Sequence, residues 1–196
     1  MLAAPARNPS VTLQKLRVAA RDLFVSRGYH DTRPQDIARQ AGVANGTFYL
    51  HFPDKQAVFL DFADQALNEL VEAFRDTDTR QVPQADRWQA IFGVLIDFGT
   101  RQPGLLQAAF LDPVLIAPHD EHAWRIYDRL GRFMSVMLEQ AERDSPAAVY
   151  DKELISHAIC GAVRHAMTYA FRKGVERQKM ISDLGLFIDR GLGVKR

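Results

Sequence analysis

Between residues 32 and 55 the chain gathers Thr32, Arg33, Asn45, Thr47, Tyr49, His51 and Lys55. These are short or planar hydrogen-bonding groups and cations, the side-chain types that meet base edges and phosphate oxygens in a DNA major groove. Their frame is legible in the spacing. Pro34 opens one helix at its first turn, Ile37, Ala38 and Ala41 form its apolar side, Gly42 ends it, and a second short helix follows over 45–51. Two short helices on a tight turn are the plan of a helix-turn-helix. Ile37, Ala38, Val43 and Phe48 then fix the angle between them, and the second helix turns Asn45, Thr47, Tyr49 and His51 outward. Phe48, Leu50 and Phe52 read as packing residues. Lys55, in the first turn of the next helix, sets a cation beside free N–H groups, a favourable place for a phosphate.

Stepping outward, charge divides the chain. Residues 1–60 hold eight basic side chains (Arg7, Lys15, Arg17, Arg21, Arg27, Arg33, Arg39, Lys55) against four acidic ones (Asp22, Asp31, Asp36, Asp54), although the whole chain of 196 residues is only +1. The first segment can sit on a polyanion; the rest, net −3, has no bulk electrostatic reason to. With 47% apolar residues the chain has material for a core, which excludes dominant disorder. No run approaches the roughly 18 apolar residues of a membrane span. One cysteine, Cys160, excludes an internal disulfide. The first residues carry no signal-peptide pattern, so cytoplasm is the expected compartment. The arm over 1–10, with Arg7, is expected to be disordered, with phosphate contacts as the less favoured alternative.

Periodicity predicts an all-α fold of about nine helices. The first spans 12–27 and stops at Gly28. After the two short helices comes a long one from Pro53-Asp54, with Asp54 as its cap and an apolar repeat from Val58 to Phe74. Helices over 88–100, 105–111, 119–143, 147–173 and 176–192 follow, separated by Gln102-Pro103-Gly104, Asp112-Pro113, Pro118 and Gly174.

The stretch carrying Gly28-Tyr29, Thr32, Asp36-Ile37-Ala38, Ala41-Gly42-Val43, Gly46-Thr47-Phe48-Tyr49-Leu50-His51-Phe52 and Lys55 resembles the TetR family of one-component transcriptional repressors. The likeness is close over residues 12 to about 60. Beyond it helix order and lengths agree, and Gln102-Pro103-Gly104-Leu105 looks like the family's break between its fifth and sixth helices. Two positions depart from the family pattern. Arg33 stands where a capping Ser or Thr is usual, and Ala44 stands where a Ser commonly precedes the reading helix, which leaves Asn45 to take over as cap.

The resemblance implies a DNA-binding domain over 1–52 and an effector-binding and dimerising domain over 53–196. In the latter, helices four to eight enclose a small-molecule pocket, and the last two helices pair with their copies. Candidate lining residues are Phe62, Trp88, Phe92, Ile96, Phe110, Trp124, Tyr127, Met134, His165 and Tyr169. Arg164 and His165, polar within an apolar helix, either pair across the dimer, orient a ligand or face water. No metal or cofactor is expected. His119 and His122 flank Asp120-Glu121, acids that suit a helix start without any metal, and Cys160 reads as a small buried residue. No nucleophile elbow, phosphate-binding glycine loop or zinc-protease signature is present, so no enzyme is expected. The expected function is a homodimeric repressor released from a palindromic operator by an apolar or aromatic effector. The alternatives are an activator of the same fold, or a helical ligand-binding protein without sequence-specific DNA binding.

Overall fold

A computed structural model describes residues 9–75, 82–83, 86–106, 116–142 and 150–192. Every regular element among the described residues is a helix: α1 (Pro9–Arg27), α2 (Pro34–Gln40), α3 (Asn45–Tyr49), α4 (Lys55–Arg75), α5 (Arg87–Arg101), α6 (Glu121–Glu142), α7 (Lys152–Lys173) and α8 (Arg177–Gly191). Of the helix expected over 105–111, Leu105 and Leu106 are helical, and the remainder, Phe110 included, lies outside the described residues. Arg7 and most of the arm lie outside them too.

Capping chemistry sets the boundaries. Asp54 accepts from the backbone N–H of Ala57 at 2.7 Å, as the sequence leads one to expect. Helix α6 starts at Glu121 rather than His119 because the Asp120 carboxylate accepts from the N–H of His122 at 2.8 Å. Helix α7 starts at Lys152 rather than 147 because Asp151 accepts from the N–H of Leu154 at 3.0 Å, while Tyr150 and Asp151 are not helical. Gly28 and Gly42 end α1 and α2 in the left-handed region, at φ of 82° and 68°, where an L side chain is strained.

Helix α4 is the element on which the others converge. Its first half packs into the N-terminal helices: Phe24 meets Phe59 edge-on with ring centroids 5.4 Å apart, and Tyr29 meets the same ring at 4.9 Å. Its second half turns toward α6, where Phe74 lies 4.9 Å from Phe133. The buried core is continuous from Leu16 to Ile188, so packing crosses the expected domain boundary at 52/53 within α4.

The polar edge of α4 binds its neighbours by charge. Arg17 forks onto Asp61 with contacts of 3.0 and 2.6 Å, Arg21 pairs with Glu69, and Arg129 of α6 reaches Asp64 and Asn68. Arg21 also donates to Gln102 at the end of α5. The following Gly104 lies so close to α1 that a Cβ there would come within 2.9 Å of Val25. Elsewhere Arg177 at the start of α8 forks onto Asp97 of α5 at 2.6 and 2.7 Å. The fully buried Ser156 of α7 accepts from Ser135 of α6 at 2.9 Å and donates to the Lys152 carbonyl.

Candidate nucleic-acid interface and ligand cavity

Helix α3 is five residues long, far too short to hold itself in water, so its orientation is imposed by packing. Phe48 is fully buried and meets Phe52 at 5.8 Å, and both lie in the core beside Ile37 and Ala38 of α2. That anchorage turns the opposite side of the turn to solvent. Arg33 and Asn45 are exposed, Thr47 and His51 are partly exposed, and Tyr49 is 46% exposed. The exposure of Asn45, Thr47, Tyr49 and His51 agrees with the side chains that the spacing turns outward.

Four expectations need correction. Thr32 is fully buried and donates its hydroxyl to the Gly28 carbonyl at 2.7 Å, so it closes the turn after α1 instead of facing outward. Asn45 does not cap α3: the cap position is Ala44, with no side-chain bond, and Asn45 is the first helical residue, its amide exposed. Leu50, expected to pack, is 83% exposed beside Tyr49. Lys55 is drawn inward, where its ammonium donates to the carbonyls of Tyr29 at 2.9 Å and His30 at 3.4 Å and lies 4.3 Å above the Tyr29 ring. Burial, then the charge of Asp54, pushes the Tyr29 hydroxyl above its ordinary pKa, which keeps that ring neutral.

The excess of cations over 1–60 is therefore not pooled on the outward face. Arg17 and Arg21 are held by α4 acids, Arg39 by Asp36, and Lys55 by backbone carbonyls. Sequence counting cannot see this, because the acids that engage Arg17 and Arg21 lie beyond residue 60.

Residues 16–62 match the model for bacterial regulatory proteins of the tetR family. Over those residues the chain carries the tetR-family N-terminal pattern. The matched span contains the whole α2–α3 unit and the first two turns of α4 that pack under it. The fatty acid metabolism regulator protein of Bacillus subtilis is 33% identical over 58 residues, which is 30% of either chain. The HTH-type transcriptional regulator EthR of Mycobacterium tuberculosis is 29% identical over 154 residues, 74% of this chain and 66% of EthR. The chain thus spans between 30% and 66% of the length of these two relatives. Among solved TetR structures, FadR of Thermus thermophilus, described as a transcriptional repressor in complex with lauroyl-CoA, superposes with a TM-score of 0.67 at 23% identity. That superposition covers 94% of this chain and 96% of FadR.

Beneath the N-terminal helices a cavity of about 440 Å³ lies between α4, α5, α6 and α7. Of the expected lining residues, Phe92, Tyr127, Met134 and His165 face it. Phe62, Trp88 and Ile96 are buried in the surrounding core and do not line it, because their turns of α4 and α5 pack against other helices. Trp124 is 46% exposed, its indole N–H donating to the Pro118 carbonyl at 3.0 Å, and Tyr169 is 60% exposed on the outer side of α7.

The sequence reading did not mark Leu70, Phe74, Phe133, His157 or Phe171 as lining residues. His157 is the most informative of them. Its ring stacks on Tyr127 at 4.5 Å and 12°, in space that exists only because residue 131 has no side chain: a Cβ there would collide with the ring. A glycine in the middle of a long amphipathic helix was the signal available for that contact. Cys160 lines the cavity as well; burial pushes its thiol up to about 12, so it is not a reactive group. No helix among the described residues is long and apolar enough to cross a membrane.

Proposed function

We propose that this chain is a TetR-family regulator, a cytoplasmic homodimeric repressor whose two α3 helices read a palindromic operator and which an apolar or aromatic effector in the cavity releases. The carrying observation is the outward face of α3: Asn45, Thr47 and Tyr49 are turned to solvent on a helix pinned from behind by buried Phe48 and Phe52. In this reading Thr47 and Asn45 meet base edges, whereas Arg33, Tyr49 and His51 meet phosphates. Lys55 contributes by holding the carbonyl end of the turn after α1, and Thr32 by closing that turn.

The division into a reading head over 1–52 and a body over 53–196 belongs to the same proposal, with α4 as the element common to both. Leu154, Tyr169 and Phe187, all at least 60% exposed on α7 and α8, are apolar groups that a second copy would cover. A twofold pair of heads reads half-sites about one DNA turn, roughly 34 Å, apart. The cavity's largely apolar walls support an apolar effector, as do the fatty acid regulators among the relatives.

Release needs the effector to favour one arrangement of the heads over the other. Leu67 and Leu70 line the cavity, and between them on the same helix Glu69 holds Arg21 of α1. A guest pressing on α4 therefore acts on the anchor of the head. A gel-shift titration against DNA flanking its own gene, at two salt concentrations, tests the reading. The expected result is a discrete complex that requires a palindrome and weakens with salt; a salt-labile smear on any DNA refutes it.

A further inference from the structure

Helix α3 is anchored through Phe48, and helix geometry fixes what lies opposite that anchor. The turn runs on past Tyr49: Leu50 keeps right-handed helical angles, φ −72° and ψ −21°, and the N–H groups of His51 and Phe52 both donate to the Phe48 carbonyl at 2.9 Å. At about 100° per residue, Leu50 stands about 200° round the axis from Phe48 and Gly46 about 160°, so these two form the crest of the outward face. Thr47 and Tyr49 flank the crest, about 100° to either side of Phe48. Packing explains neither crest residue. Leu50 is 83% exposed. One exposed leucine is ordinary on a protein surface, but its neighbour on the crest is informative. Gly46 is exposed, its φ is not positive, and a Cβ there would meet nothing within 4 Å, so the fold itself accepts any small side chain at 46. Glycine even weakens the helix relative to alanine. The crest is thus low at Gly46 and carries a bare isobutyl group at Leu50.

We infer that Leu50 is a specificity-determining residue of the reading head, seated on the C5-methyl of an operator thymine, and that Gly46, one turn earlier on the same side, lets α3 approach closely enough for that contact. This deepens the DNA reading given above and rests on it. The donors and acceptors on base edges offer a leucine nothing; the thymine methyl is the apolar feature of the major groove. Set over another pair, the isobutyl group would strip water from polar atoms that it cannot satisfy. Set on the methyl, it takes apolar surface of both partners out of water. Glycine is the residue that allows a backbone to come close to another molecule, and any side chain at 46 would stand between the helix and the base pairs that Leu50 reaches.

The test starts from the full chain and a library of random-sequence DNA duplexes, from which the protein selects its half-site. Each thymine of the selected duplex is then replaced in turn by deoxyuridine, which lacks only the methyl group, and affinity is read by fluorescence anisotropy. At one thymine per half-site the replacement is expected to weaken the wild type by about fourfold, the worth of one buried methyl. For Leu50→Ala the same replacement should change affinity by less than about twofold, whereas Leu50→Met, still apolar, should keep the wild-type response. Gly46→Ala is expected to unfold in urea no earlier than the wild type and yet bind the selected duplex about fivefold or more weakly. A Leu50→Ala variant with the full wild-type response at every thymine, or a wild type indifferent to every methyl, overturns the Leu50 assignment and leaves the DNA reading standing. A Gly46→Ala variant that binds as the wild type does overturns the close approach. Selection of no sequence from the library overturns the DNA reading as well. Helical circular dichroism of the variants excludes misfolding, and the methionine variant keeps the test decisive where the alanine variant fails to fold.

Discussion

Gly131→Ala probes the contact that shapes one wall of the cavity. An alanine Cβ would strike the His157 ring, coming within 2.5 Å of Cε1 and 3.1 Å of Cδ2. Two opposing contributions follow. Replacing glycine by alanine inside a helix stabilises by about 1 kcal/mol. Against this, the ring either swings off Tyr127, which forfeits about 0.5 to 1.5 kcal/mol of stacking, or stays and overpacks the site at about 1 to 3 kcal/mol. In the wild-type background the substitution should thus range from weakly stabilising to destabilising by about 2 kcal/mol. In a His157→Ala background the obstacle is gone, and the full helix gain of about 1 kcal/mol should emerge. The quantity to measure is the coupling in the double-mutant cycle, expected at about 0.5 to 3 kcal/mol, from urea unfolding of all four proteins at one subunit concentration. A coupling indistinguishable from zero, with alanine stabilising both backgrounds alike, would show that His157 is not held against α6 and would refute the reasoning.

Thr32→Val removes a buried hydroxyl bonded to the Gly28 carbonyl and should cost about 1 kcal/mol in urea unfolding without altering base preference; a changed preference would return Thr32 to the DNA face. For Asp97, the hydrogen bond from Arg177 holds the carboxyl below its ordinary 3.8 against the opposing push of burial. A carboxylate depressed on folding adds stability above its unfolded value that is lost as pH falls through the folded one. The difference in urea midpoint between wild type and Arg177→Gln should therefore be wide at pH 7 and narrow below pH 3.8, and a gap independent of pH would contradict this. With its thiol pushed to about 12 from 9.0, Cys160 should alkylate at pH 8 about a thousandfold more slowly in the native protein than in urea. Native and denatured rates within tenfold of each other would exclude that burial.

Local chemistry carried the sequence reading where local chemistry decides the structure. Pro34, Gly28, Gly42 and Asp54 act through their own backbone geometry or that of the next turn, so the elements they bound could be placed from the letters alone. The exposure of Tyr49 was legible for the same reason, since it lies between buried Phe48 and Phe52, but the equally exposed Leu50 between them was read as packing because it is apolar. The misplacements share a different cause. Thr32 and Lys55 look like surface groups until the turn after α1 brings the carbonyls of Gly28, Tyr29 and His30 within their reach. The lining of the cavity depends on which turn of each helix meets which neighbour, so Phe92 lines it while Trp88, one turn earlier on α5, sits in the core. Helical spacing says that an aromatic is inside; tertiary packing alone says what it faces.

The double attachment of Arg21, to Glu69 on one side and Gln102 on the other, bears on how such regulators are rebuilt. A chimera that grafts this N-terminal unit onto a foreign sensor inherits the arginine but not its two receptors. On the proposed function, it would bind its target site while ignoring the new sensor's cue. On that same function, such a graft needs the acidic and amide partners moved with it, together with Asp61, which holds Arg17 in the same seam.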